Sequence, residues 1–257
     1  MRSIAGALVL LTALGCPKRD NAEASSSADP PPEAGAPAFD RRAERAVLIN
    51  RLRSAGIADE RVLSAMQRVE RHAFVPETEQ RRAYANEALQ IGHGQTISQP
   101  MVVAAMTEAA RPGPGDKCLE VGTGSGYQAA VLAELCDKVY SIEYLEPLAQ
   151  WAERNLRQAG YDASRVMLRA GDGYHGWPDE APFDVVLVTA APDKVPKPLL
   201  DQMAPGGRLV IPVGPRHAAQ QLELWTRSRD VDGGFTRATL MVVRFVPFLG
   251  DAGSPRP

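Results

Sequence analysis

Cysteine and histidine, the usual ligands of zinc, are scarce in this chain. Of 257 residues, three are cysteine (Cys16, Cys118 and Cys136) and four are histidine. No CxxC pair occurs and no Cys/His spacing suits zinc, so no structural metal is expected. No disulfide framework is expected either, and Cys118 and Cys136 read as small apolar residues within buried elements. Positive charge is not in excess. There are 29 Lys and Arg against 31 Asp and Glu, a formal net charge of −2. Such a chain has no electrostatic hold on a nucleic-acid backbone, which removes nucleic acid from the expected partners. The apolar stretch from Ile4 to Leu14 is too short to cross a bilayer, which takes about 20 residues. Hydrophobic content of 44% and charged content of 23% are ordinary for a globular domain. The length suffices for one large α/β domain and an appended segment.

The N-terminus reads MRSIAGALVLLTALGC. Arg2 supplies a positive start, an apolar run follows, and Gly15-Cys16 closes it. The pattern resembles a bacterial lipoprotein signal, in which Cys16 would be lipidated and become the first mature residue. Ala13 departs from it, since Leu is usual there. A start codon assigned too far upstream is the competing reading. Residues 17–38 are rich in Ala, Ser, Pro and Glu and hold no large apolar side chain. They cannot bury enough surface to offset the entropy of ordering and read as a disordered tether. The resulting divisions are a signal at 1–16, a linker at 17–39, a folded domain at 40–250 and a flexible tail at 251–257. Within the domain, 40–100 form a helical cap and substrate loop, and 101–250 the core.

Apolar residues at helical spacing (Val47, Leu48, Leu52; then Val62, Leu63, Met66, Val69) predict two short helices in 40–70, the second capped by Asp59. Residues 71–100 show little periodicity and read as an ordered loop region. Pro100 suits the first turn of a helix reaching Ala110. From Lys117 strand and helix alternate. Strands are expected at 118–121, 138–142, 166–169, 183–189, 208–212, 222–227 and 241–248. Helices are expected at 127–135, 145–159 and 199–203. This alternation predicts a doubly wound, Rossmann-like α/β fold with a mostly parallel seven-stranded sheet behind an N-terminal helical segment.

The first of these strands runs into Leu119-Glu120-Val121-Gly122-Thr123-Gly124-Ser125-Gly126. Glycines here let the backbone turn sharply and approach a ligand at the carboxyl end of the sheet. The spacing is GxGxG, not the GxGxxG of dinucleotide enzymes. Glu143 ends the second strand, where a carboxylate can accept from two ribose hydroxyls. Gly171-Asp172-Gly173 follows the third strand, where Asp172 can meet an adenine amino group, although an acidic residue between glycines also suits a plain turn. Glycine loop, acidic strand end and acidic loop together resemble the S-adenosylmethionine methyltransferase superfamily.

Flanking motifs narrow the resemblance. Arg71-His72-Ala73-Phe74-Val75-Pro76 and Leu89 to Pro100 (LQIGHGQTISQP) precede the core; GGRLVIPVG at 206–214 and RFVPFLG at 244–250 follow it. Over roughly residues 45–250 the chain resembles the bacterial protein-L-isoaspartate O-methyltransferases. Phe248-Leu249 departs from the family's usual pattern. The resemblance implies S-adenosylmethionine as cofactor and isoaspartyl residues of damaged proteins as substrate. It further implies a monomer working in the cytoplasm; a lipid anchor at Cys16 in the cell envelope is the alternative. Ser98 matches the active-site serine. Gln95, Thr96 and Ile97 would line the cleft. Gly122, Thr123, Gly124 and Gly126 would hold the methionine moiety, Glu143 the ribose, and Asp172 with Gly173 the adenine, with Tyr144 also among the cofactor-binding residues. Val246-Pro247 would shape the peptide groove.

Elementary chemistry fits that role. A carboxylate is ionised near neutral pH and a sulfonium methyl is already electrophilic, so no strong base is needed. The protein must chiefly align the reactants and remove water. Ser98 suits orienting a carboxylate oxygen, and it also suits capping the helix that begins at Pro100. Two rivals remain: a small-molecule methyltransferase of the same fold, and a membrane-tethered binding protein without catalysis.

Overall fold

The computed structural model of the chain describes residues 41–216, 218–230 and 234–250. The expected signal, linker and tail lie outside the described residues.

Helix α1 (Arg41–Ser54) buries Leu48, Ile49 and Leu52, and α2 (Glu60–Arg68) buries Val62, Leu63 and Met66. These residues recur every three or four positions and so form one stripe per helix. Asp59 caps α2, its side chain accepting from the Arg61 backbone N–H at 2.9 Å. The segment expected to be a loop is more ordered than its polar composition suggests. It holds two 3-10 turns, Arg71–Phe74 and Glu77–Arg82, then a hairpin of β1 (Leu89–Gly92) and β2 (Gln95–Ile97). Leu89 and Ile91 are buried around an exposed Gln90, a period of two too brief to stand out. The hairpin turns through Gly92, His93 and Gly94, all at positive φ. Helix α3 spans Pro100–Ala110.

The seven-stranded sheet has the order β5-β4-β3-β6-β7-β8-β9. Its strands are β3 (Lys117–Val121), β4 (Lys138–Glu143), β5 (Val166–Ala170), β6 (Phe183–Val188), β7 (Met203–Val213), β8 (Gln220–Arg227) and β9 (Phe235–Val243). The first five pair in parallel; β8 and β9 are antiparallel additions. Helices α4 (Tyr127–Ala133), α5 (Glu146–Gln158) and α6 (Lys197–Asp201) complete the crossovers. Strand alternation divides the core in two. Cys118, Val185 and Leu187 face the cluster containing α1 to α4, while Leu119, Val121, Val186 and Val188 face a second cluster with Phe183, Leu209 and Phe248. The winding direction reverses between β3 and β6, which opens a crevice at their carboxyl ends.

Two expectations need correction. The last strand is 235–243, not 241–248: as an edge strand with exposed side chains, β9 lacks an apolar alternation to mark it. Residues 244–250 instead cross back over the sheet, where Ala191 N–H donates to Val246 O at 2.9 Å and Phe248 N–H to Ala191 O at 3.0 Å. Cys118 and Cys136 are not free thiols but a disulfide, with Cα atoms 6.4 Å apart. Folding of α4 back along β3 brings them together on one face, a proximity the sequence spacing alone does not reveal.

Candidate active site

The crevice is built around the β3–α4 turn. Gly122 has φ 95°, and a Cβ there would stand 2.5 Å from Thr189 Oγ1. Thr189 at the end of β6 donates its hydroxyl to Gly122 O. On the other side, Gly122 N–H donates to Ile142 O at 2.8 Å. Glu143 braces the same turn: Oε2 accepts from Gly124 N–H at 2.8 Å and Oε1 from Leu145 N–H at 3.0 Å. Burial holds the Glu143 carboxyl above its ordinary range, opposed by those backbone donors.

Two cavities share the walls Thr96, Gly122, Gly124 and Thr189. The larger, about 520 Å³ with the part that opens to solvent included, is bounded by Gln95, Glu143, Tyr144, Gly173 and the 246–249 crossover. The smaller, about 320 Å³, is bounded by Ile97, Ser98, Glu120, Thr123 and Gln128. Ten of the twelve residues singled out in the sequence therefore line one or other of these two adjoining cavities. Two do not. Gly126 caps α4 and lies under α5, where a Cβ would meet Leu156 Cγ at 3.0 Å. Asp172 accepts from Tyr174 N–H at 2.8 Å, capping a 3-10 turn, and abuts Gly250. Val246-Pro247, expected at the peptide groove, walls the larger cavity.

Ser98 is not the cap of α3. That position is Gln99, and the Asn86 side chain accepts from Met101 N–H at 3.0 Å instead. The serine is held by its carbonyl, which accepts from Arg71 Nη2 at 2.9 Å. Arg71 is fully buried, also donates to Ala83 O at 3.0 Å, and lies 4.9 Å from the Tyr127 ring centroid. Burial pulls its pKa down to about 10.

Sequence reading passed over Glu120, Gln128, Thr189 and Arg71. Glu120 sat inside the glycine motif but looked like a strand residue. It is 0% exposed; Ser141 Oγ donates to its Oε2, and Oε1 has no partner. Desolvation pushes its pKa up to about 8. Gln128 Oε1 is likewise buried and unpartnered.

A doubly wound sheet with a GxGxG turn, an acidic second strand end and a crevice at the switch point defines a Rossmann-like class I methyltransferase. Among solved structures, the chain resembles a protein-L-isoaspartate O-methyltransferase with a TM-score of 0.73 and 28% identity, over 81% of this chain and 67% of that one. A Plasmodium falciparum structure described as a putative enzyme of this kind, in complex with S-adenosyl-L-homocysteine, shares the fold at TM-score 0.67 and 24% identity, over 80% and 98% of the two chains. The Opitutus terrae protein-L-isoaspartate O-methyltransferase is 58% identical over 195 residues, 76% of this chain and 82% of that protein. Its Gloeobacter violaceus namesake is 53% identical over 196 residues, 76% and 93% of the two chains. The model of the protein-L-isoaspartate(D-aspartate) O-methyltransferase family matches residues 43–253. The chain belongs to that family, and its activity is methyl transfer to protein isoaspartyl carboxyl groups.

Proposed function

We propose that the crevice holds S-adenosylmethionine across both cavities and presents its methyl group to the α-carboxylate of an L-isoaspartyl residue oriented by Ser98. The observation that carries this reading is that the two cavities adjoin, sharing the walls Thr96, Gly122, Gly124 and Thr189, with Ser98 lining the second. The residues present fit the cofactor. Gly122 leaves a cradle that a Cβ would fill. Two orphaned buried acceptors, Glu120 Oε1 and Gln128 Oε1, suit an ammonium group, which carries donors only. Glu143 and Tyr144 would take the ribose, Gln95 and Gly173 the remainder of the nucleoside. Asp172 would act on the adenine through the turn it caps. When bound, the cofactor supplies an electrophilic methyl carbon on a positively charged sulfur.

The protein's own contribution is alignment and drying. Ser98 donates a hydrogen bond to the carboxylate oxygen that does not attack, so the other oxygen faces the methyl carbon. No side chain has to remove a proton. Opposite charges neutralise as the ester forms, so a water-poor pocket walled by Ile97 and Phe248 favours the transition state over the separated ions. Methylation is thus the first step of repair: in the released product the next backbone nitrogen attacks the ester carbonyl, methanol leaves, and a succinimide closes without the enzyme. The chain would act as a monomer on flexible, exposed peptides, which the open crevice admits.

The test is methyl transfer from labelled S-adenosylmethionine to paired peptides that differ only in one isoaspartyl or aspartyl linkage. Base-labile label confined to the isoaspartyl peptide is expected. Label on neither, with cofactor still bound, would turn the assignment to a small-molecule acceptor.

A further inference from the structure

The Cys118–Cys136 bond closes a covalent ring over a separation of 18 residues. That ring contains the whole turn Gly122–Gly126 and all of α4, the segment assigned above to the methionyl end of the cofactor. Cys118 is 0% exposed and Cys136 4%. We propose that this bond is made during folding, that it pre-organises the cofactor turn, and that the chain therefore matures by thiol–disulfide exchange in an oxidising compartment.

Three observations support the proposal. Helix α4 has only seven residues, too few to be stable alone. Its hold on β3 therefore fixes the geometry of the turn between them, and the ring ties its far end to the strand. Second, both cysteines are buried within the larger core cluster, out of reach of an oxidant once the chain is folded. A buried bond of this kind is a permanent staple, not a switch. Third, the Met1–Cys16 sequence independently has the form of an export signal, and exported proteins are where disulfides persist. In the exchange the two thiols give up two electrons and two protons. The disulfide of a thiol–disulfide oxidoreductase accepts both and is released as a dithiol.

The inference rests on the cofactor assignment only for its second part, so two readouts keep them separate. The first is the redox state of the full chain in bacterial cells, trapped by acid quenching and alkylation under denaturing conditions. Cys118 and Cys136 are expected to resist labelling until reduced. In Leu10→Arg, which breaks the apolar signal, they are expected to label at once. Free thiols in the full chain, or a bond in both proteins, would overturn the compartment claim. The second compares the oxidised protein with Cys118→Val/Cys136→Ala. The variant is expected to melt roughly 6–12 °C lower and to bind S-adenosylhomocysteine roughly three- to tenfold more weakly. Lower melting with unchanged affinity would overturn the pre-organising role while leaving the cofactor assignment intact. Loss of binding by the oxidised wild type would instead overturn that assignment.

Discussion

Replacing Glu120 by glutamine removes one titrating proton while keeping the shape of the side chain. In the folded protein this carboxyl is sealed from water and held up to about 8, against an ordinary 4.5. Between those values the folded chain keeps a proton that the unfolded chain has released. Stability must therefore fall as pH rises through that window, and the loss is complete above the folded value. Each unit is worth about 1.4 kcal/mol, so the whole span amounts to about 5 kcal/mol. The amide introduced by E120Q can still accept from Ser141 and has no proton to lose. Urea unfolding of both proteins without ligand, from pH 5 to 9, gives the difference directly. The stability of E120Q relative to wild type should climb with pH by an amount of that order. Parallel curves would show that Glu120 does not titrate in this way, and would remove the desolvation argument with it. The same variant probes the ammonium assignment. An ammonium set against Glu120 favours the ionised form, so binding of S-adenosylhomocysteine near pH 7 should expel close to one proton from wild type and none from E120Q. Calorimetry in two buffers of different ionisation enthalpy measures that number.

Other outcomes follow from the same geometry. Ser98→Ala should lower kcat while leaving S-adenosylhomocysteine affinity nearly unchanged; an equal loss of affinity would show that the hydroxyl serves the cofactor and not the carboxylate. Glu143→Ala should weaken S-adenosylhomocysteine by about 1.5–3 kcal/mol, the scale of hydrogen bonds to a charged group, and isothermal titration showing no change would remove it from the ribose site. Arg71→Lys keeps the buried charge but loses the fork that reaches both Ala83 O and Ser98 O. It should reduce kcat about tenfold or more with a smaller effect on the affinity for S-adenosylhomocysteine, and wild-type turnover in this variant would show that the serine loop needs no such support.

The sheet was legible because its strands are short, buried and separated by helices of the right period. FDVVLVT at 183–189 can hardly be anything but an inner strand, and β6 covers Phe183–Val188. The hairpin at 89–97 was not legible: its turn needs a left-handed His93 between two glycines, and its strands span only four and three residues. β9 escaped for the opposite reason, since an exposed edge strand carries no burial pattern. At the crevice, the glycines, Glu143 and the Gln95–Ser98 stretch stood out by residue type and spacing. Thr189 and Arg71 did not. Nothing near Thr189 in the chain suggests a ligand, the motif that begins at Arg71 gives that residue no role, and each matters through a partner more than twenty residues away in sequence. Cys118 and Cys136 were read as packing residues because a disulfide depends on where α4 lands, a tertiary fact.

The walls of the crevice come from segments scattered between Gln95 and Leu249. The 246–249 crossover follows β9 in the chain and is held at the crevice by the bonds of Ala191 with Val246 and Phe248. No fragment of the sheet contains a binding site, so occupancy is coupled to the folding of the entire domain. A ligand present at a hundred times its Kd would add about 2.7 kcal/mol to global stability. For an enzyme whose substrates are aged proteins, that coupling also protects the repairer: a chain kept saturated with its cofactor opens less often, and so ages more slowly than one left empty.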